Sequence, residues 1–247
     1  MKNIVTRFAI VVVFIITICC NNDDESPQPV TLSQRETLLA IYNANPGNTL
    51  GWDTTATEIT SWEHVGVNSE GNVTSLNLID KGLTTIPSAI EFLTELTYLE
   101  LRNNAIEQLP TEIGNLKKVT YLGLNNNHFT SLPTTLSQME SLDRLFIYNN
   151  SLTTVPNEIG QVSTLTRLDF GANTITTIPS SIGQLTQLDY LSFYSNSLTQ
   201  VPSQLSNLTH LTTLDVSDNF ITSIPQSVCD LETTGTTIIK DATTTCN

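Results

Sequence analysis

Residues 142–164 read LDRLFIYNNSLTTVPNEIGQVST, and this 23-residue pattern is written seven times, without an insertion, between Val73 and Thr233. The copies begin at Val73, Leu96, Val119, Leu142, Leu165, Leu188 and Leu211. Apolar residues fall at positions 1, 4, 6, 11, 14, 18 and 21, and all 49 such slots hold Leu, Ile, Val, Met or Phe. Position 9 is Asn in six copies, from Asn104 to Asn219, and Lys81 in the first; position 15 is Pro in all seven. A fixed period of this length marks stacked units. One copy cannot bury seven apolar side chains by itself, so its neighbours must do it.

Within a copy, Leu96-Thr97-Tyr98-Leu99-Glu100-Leu101-Arg102 alternates in the manner of a half-buried strand. Leu99 and Leu101 are expected to point inward, with Tyr98, Glu100 and Arg102 outward. The strand ends at Asn104, whose amide both donates and accepts and so suits the stranded backbone groups of a buried corner. Pro110 then suits the first turn of a short helix or 3₁₀ segment over Thr111–Leu116, because its missing N–H has no partner there in any case.

The pattern LxxLxLxxNxLxxLPxxIxxLxx resembles the leucine-rich repeat, in particular its 23-residue bacterial and Ras-binding-type classes. That resemblance implies an α/β solenoid: a horseshoe with a parallel sheet on the concave side and short helical or 3₁₀ segments on the convex side. Residues 73–233 are then seven repeats, 31–72 an N-terminal cap and 234–247 a C-terminal cap. Ser33-Gln34-Arg35-Glu36 is a capping box opening a helix through Leu38, Leu39, Ile41 and Tyr42. With Trp52, Trp62 and Val65-Gly66-Val67 the segment is similar to the cap of plant-type leucine-rich repeat proteins. It lacks their cysteine pair, Asn68 standing where one Cys is expected, so the two tryptophans are expected to hold it by packing. At the far end Ile238-Ile239 offers a last strand, and a Cys229–Cys246 bridge is expected to pin it, as export permits.

Residues 1–19 carry Lys2, Arg7 and the apolar run Phe8–Ile16, which is a charged and an apolar region of a signal peptide, too short to span a bilayer. Ile18-Cys19-Cys20 resembles a bacterial lipobox, with Cys20 the expected lipidated residue and Cys19 the alternative. Residues 20–30, acidic and with two prolines, read as a tether reaching roughly 30 Å. The acidic cluster also resembles surface-export tags of some bacterial lipoproteins. The expected location is the cell envelope, as an outer-membrane lipoprotein whose face is left open, with membrane contact through the N-terminal lipid alone.

The chain holds 10 Lys and Arg against 24 Asp and Glu. Without Lys2 and Arg7 the balance is 8 against 24, a net of −16. Nucleic acid and anionic lipid surfaces both need basic patches, which this balance argues against. His64, His128 and His210 have no nucleophile–base–orienter grouping around them, so no enzyme is expected. Asp143, Asp169, Asp189 and Asp215 recur on the sheet face and read as solvated or hydrogen-bonding groups. No Asp-rich loop suits Ca²⁺, and neither metal nor cofactor is expected.

Outward strand positions form three columns: Ser75, Tyr98, Tyr121, Arg144, Arg167, Tyr190, Thr213; Asn77, Glu100, Gly123, Phe146, Asp169, Ser192, Asp215; and Ile79, Arg102, Asn125, Tyr148, Gly171, Tyr194, Ser217. Every Tyr and Arg between residues 73 and 233 falls in them, and these types are enriched at binding hot spots. The expected ligand-binding residues are Tyr98, Arg102, Tyr121, Arg144, Phe146, Tyr148, Arg167, Tyr190 and Tyr194. Their expected partner is a protein or peptide, with two alternatives left open: a glycan stacked on the tyrosines, or self-association as a structural envelope protein.

Overall fold

The computed structural model describes residues 32–247. The expected signal peptide, tether and lipidation at Cys20 lie outside the described residues. Helix α1 (Gln34–Ala44) is closed at its start by the capping box: Ser33 Oγ accepts from the Glu36 N–H at 3.2 Å, and Glu36 Oε2 from the Ser33 N–H at 2.8 Å. Strand β1 (Val65–Val67) runs antiparallel to β2 (Val73–Asn77). From β2 onward one strand per copy stacks in parallel: β3 (Tyr98–Glu100), β4 (Tyr121–Gly123), β5 (Arg144–Phe146), β6 (Arg167–Asp169), β7 (Tyr190–Ser192) and β8 (Thr213–Asp215). A short pair joins β9 (Ser223–Ile224) to β11 (Thr245–Cys246), while β10 (Thr237–Ile239) ends the nine-stranded sheet against β8.

Every one of the 49 apolar slots is buried, in one continuous core. The returns on the opposite side are 3₁₀ segments such as Thr111–Asn115 and Asn157–Gln161, and in the last copy helix α2 (Gln226–Cys229). Each proline stands just before its segment, not inside the first turn: Pro110 has φ −67°, ψ 151° and Pro156 φ −65°, ψ 140°. The ring fixes φ and leaves the residue extended, so it acts as a rigid entry to the turn. Neighbouring 3₁₀ segments approach to backbone contact at Gly114, Gly160 and Gly183. A Cβ on Gly160 would lie 2.3 Å from the Ser181 carbonyl oxygen. Gly160→Ala is therefore expected to destabilise the protein by about 1–3 kcal/mol, measured by urea denaturation. An unchanged midpoint would show that the stack slides apart freely there.

The corners are a ladder of amides. Asn127 Nδ2 donates to the carbonyls of Leu101 (3.0 Å) and Leu124 (3.1 Å), while its Oδ1 accepts from the Ile106 N–H at 3.1 Å. The same bonds recur at the other ladder asparagines. In the cap Asn45 takes the first rung, its Oδ1 accepting from the Thr84 (2.7 Å) and Thr85 (3.0 Å) N–H groups; at the other end the Asp241 carboxylate receives Asp218 N–H at 2.9 Å. Position 8 has positive φ in all seven copies: Asp80, Asn103, Asn126, Asn149, Ala172, Ser195 and Asp218. Asn and Asp tolerate this conformation better than Ala. At φ 49°, Ala172 is the misfit, and Asn126 Nδ2 already donates to Asn103 Oδ1 at 2.6 Å in the same row. Ala172→Asn is expected to stabilise by roughly 0.5–1 kcal/mol, read as a raised Tm.

The tryptophans of the cap stack, ring centroids 5.0 Å apart at 20°, both buried, with Trp52 Nε1 donating to the Glu63 carbonyl at 2.8 Å. Asn68 makes a turn: its Oδ1 accepts from the N–H groups of Glu70 (3.0 Å) and Asn72 (2.9 Å). Cys229 and Cys246 are disulfide-bonded, with Cα atoms 6.2 Å apart. Among the described residues, no helix is long and apolar enough to cross a membrane.

Candidate ligand-binding face

The sheet register sets the columns side by side. Tyr98 pairs with Tyr121, Tyr121 with Arg144, Arg144 with Arg167, and Arg167 with Tyr190. Phe146 lies between Gly123 and Asp169 in the middle column. In the third column each copy's N–H at position 8 reaches the next copy's carbonyl at position 7: Asn103 to Asn125 (3.1 Å), Asn126 to Tyr148 (2.9 Å), Ala172 to Tyr194 (2.7 Å). Arg102 joins that column through the Asp80 N–H at 3.0 Å. All nine predicted residues thus stand on one face.

They divide into two groups. In the first, Tyr98 stacks on Tyr121 with centroids 4.6 Å apart at 14°, and Phe146 tilts against Tyr121 at 5.6 Å. The Arg144 guanidinium carbon sits 5.6 Å from the Tyr121 ring centre, a cation–π distance, and its Nε lies 3.2 Å from Asp143 Oδ2. Glu100, read from sequence as pointing outward, is buried, only 3% accessible. The Tyr121 hydroxyl donates to its Oε2 at 2.9 Å and the Arg102 N–H to its Oε1 at 3.1 Å. Gly123 makes this possible: a Cβ there would lie 2.3 Å from Glu100 Oε1. Burial pushes the Tyr121 hydroxyl well above the usual phenol range, and the bond to Glu100 adds to it. Burial raises Tyr98 too, the Glu100 charge contributing second.

The second group is acidic. Asp169 Oδ1 accepts from the Gly171 N–H at 2.8 Å, and Asp215 Oδ1 accepts from Ser217 N–H at 3.1 Å and Ser217 Oγ–H at 2.6 Å. Burial raises the Asp169 carboxyl above its ordinary value, opposed by the Gly171 N–H and assisted by the nearby Asp215 charge. Tyr190 is raised first by burial and then by Asp169. Arg167 Nε lies 3.5 Å from Asp189 Oδ1, at ion-pair distance but without hydrogen-bond geometry. Tyr148 and Tyr194 are exposed, at 39% and 40%.

Sequence reading placed Glu100, Gly123 and Gly171 in the columns of this face but not among its expected ligand-binding residues. The signal was a glycine beside a carboxylate, since Gly inside a strand marks a close approach. Among the described residues, no group of three His, Cys, Asp or Glu side chains is placed to hold a metal ion.

The model described as "Leucine-rich repeat region" matches residues 76–174, and "Leucine rich repeat" matches 163–221, together more than half of the 247 residues. The chain belongs to the leucine-rich repeat family. This leucine-rich repeat chain is similar to the LRR protein of Leptospira interrogans, at 31% identity and a TM-score of 0.66 over 71% of this chain and 44% of that one. It is also similar to the LRR ectodomain of the Arabidopsis thaliana receptor kinase GASSHO1/SCHENGEN3, solved in complex with Casparian strip integrity factor 2: 26% identity, TM-score 0.77, 87% of this chain and 27% of that one. An internalin from Listeria monocytogenes shares the leucine-rich repeat fold at 24% identity and TM-score 0.60, over 74% of this chain and 54% of that one. The chain therefore spans less than two thirds of the length of each. No curated protein matches the sequence.

Proposed function

We propose that this protein is a non-catalytic recognition scaffold, held at the cell envelope by a lipid on Cys20, that binds a protein or peptide along its concave face. The observation that carries this reading is the unbroken wall of aromatic and guanidinium groups over β3–β7, in a repeat array that holds no other Tyr or Arg. Large rings with polar edges give contact area at low entropic cost and anchor most interface energy. The plant ectodomain of like fold was solved with another factor bound, which favours a proteinaceous partner over a glycan.

The test is capture of a proteinaceous partner at the cell surface by the full-length chain and by its Tyr121→Ala, Phe146→Ala, Tyr148→Ala triple variant. Loss of at least about 100-fold in affinity is expected, equivalent to about 2.7 kcal/mol over three rings. None of the three belongs to the buried core, so circular dichroism should be unchanged. Undiminished capture would move the site off this face, and loss confined to polysaccharide arrays would favour the glycan reading. For the anchor, Cys20→Ser should release the protein into the soluble fraction while Cys19→Ser leaves it with membranes. Protease shaving of intact cells distinguishes surface display from periplasmic residence.

A further inference from the structure

At Glu100, Asp169, Ser192 and Asp215 the position-5 side chain accepts from the N–H two residues on: from Arg102 (3.1 Å), Gly171 (2.8 Å), Tyr194 (3.3 Å) and Ser217 (3.1 Å). A short Asp or Ser is enough for that backbone bond. Glu100 is a methylene longer than Asp, and its second oxygen takes the Tyr121 hydroxyl of the next strand at 2.9 Å. The reach lies over Gly123, where a Cβ would displace the carboxyl group. Glu100 is buried, and among the described residues no Lys, Arg or His nitrogen lies within 4.0 Å of its oxygens. A carboxylate buried without a cation weakens a fold relative to a neutral side chain of like size. The repeat does not need a glutamate there; the side chains above it do.

Tyr121 is the post that those side chains lean on. Tyr98 of β3 stacks on its ring from one side, and Arg144 and Phe146 of β5 meet it from the other. Fixing its hydroxyl therefore steadies all of them. We propose that Glu100 is a positioning residue for the binding wall. Without reaching the ligand itself, it holds Tyr121, and through Tyr121 the Tyr98 and Phe146 rings and the Arg144 guanidinium, in the arrangement a partner meets. The inference rests on the concave face being the binding site. Side chains ordered beforehand need not be ordered by the ligand, so less of the contact energy is lost on binding. With Tyr98 on one face and Arg144 on the other, the Tyr121 ring offers a ligand its edge. That suits the side chains of a peptide better than a sugar ring, which stacks on a face.

The test has a ligand-free arm and a binding arm. In the first, isotope-labelled tyrosine is incorporated into the full-length protein and followed by NMR. The Tyr98 ring signal, displaced by the ring beside it, should move in Glu100→Ala and in Tyr121→Phe, with the Tyr190 and Tyr194 signals in place. Tyr121→Phe keeps the ring and covers the case in which Glu100→Ala does not fold. In the second arm, random linear peptides displayed on phage are selected against the full-length protein, and those that Tyr121→Ala no longer binds become the probes. Each of Glu100→Ala and Tyr121→Phe should weaken them about tenfold, and the double variant no further, because the two groups act through one bond. Glu100→Gln keeps an acceptor for the Arg102 N–H and sets an amide beside the Tyr121 oxygen. It should restore most of the binding, with Tm unchanged or higher. An unmoved Tyr98 signal, probes that Glu100→Ala binds as tightly as the unaltered protein does, or additive losses in the double variant would overturn the role of Glu100 and leave the concave face as the binding site. Selection of no peptide that depends on Tyr121 would overturn both.

Discussion

Asn173→Ala is expected to lower the stability of this protein by about 3 kcal/mol. Asn173 Nδ2 donates to the carbonyls of Ile147 (3.1 Å), Phe170 (2.9 Å) and Gly171 (3.1 Å), and its Oδ1 accepts from the Leu152 N–H at 3.0 Å. Alanine leaves the Leu152 N–H without a partner beside the core, at a cost of about 1–3 kcal/mol, and takes one donor from each carbonyl, while Asn150 Nδ2, Asn196 Nδ2 and the Asn149 N–H still reach Ile147, Phe170 and Gly171. Asn104→Ala provides the internal comparison, because Asn104 is half-exposed and water can replace more of its bonds. Its loss should be roughly half as large. Guanidinium denaturation of the two variants checks the ranking. Equal, small losses would mean that the ladder accompanies the stack without holding it.

How much of this was legible before any coordinates is decided by periodicity. A slot such as Leu145 or Ile159 declares its burial because six equivalents repeat it, and position 9 declares a corner for the same reason. The three columns follow from the same register, so the company kept by Tyr98, Tyr121 and Arg144 was readable from spacing. What spacing does not carry is how neighbouring side chains settle once stacked. Glu100 occupies an outward position and is nonetheless buried, because Gly123 leaves a hollow in the next strand and Tyr121 closes over it. Arg144 and Arg167 take their acidic partners from position 2, where most copies carry Thr. Such pairings break the repeat, so a consensus cannot show them. The proline was misplaced by one residue because a ring with fixed φ suits both the first turn and the extended entry to it.

The same departures divide the face by chemistry. Stacked rings and two cations occupy its first strands, and carboxylates beneath tyrosines its later ones. An extended ligand crossing the strands would meet both, so its direction is set by charge as much as by shape. Lysines away from this wall pair elsewhere, Lys118 with Glu95 at 2.6 Å and Lys240 with Glu232 at 3.7 Å. Exposed pairs of this kind contribute little to stability.

Cutting the Cys229–Cys246 bond should destabilise the C-terminal end by about 3 kcal/mol, the loop-closure value for a link across 17 residues. The effect is expected to be local. β11 rests on β9 through two residues, and β10 lies at the edge of the sheet with one neighbouring strand, β8. The segment between the cysteines contributes Leu231 and Ile238 to the end of the core. In a stack where each unit contacts only its neighbours, losing a terminal cover weakens the last unit first and the middle hardly at all. Hydrogen exchange on the Cys229→Ser, Cys246→Ser variant should therefore rise across residues 237–246 and then 211–231, with amides of β3–β6 still protected. Uniform loss of protection along the whole array would show that the seven copies unfold as one unit, and the nearest-neighbour account of their stability would have to be abandoned.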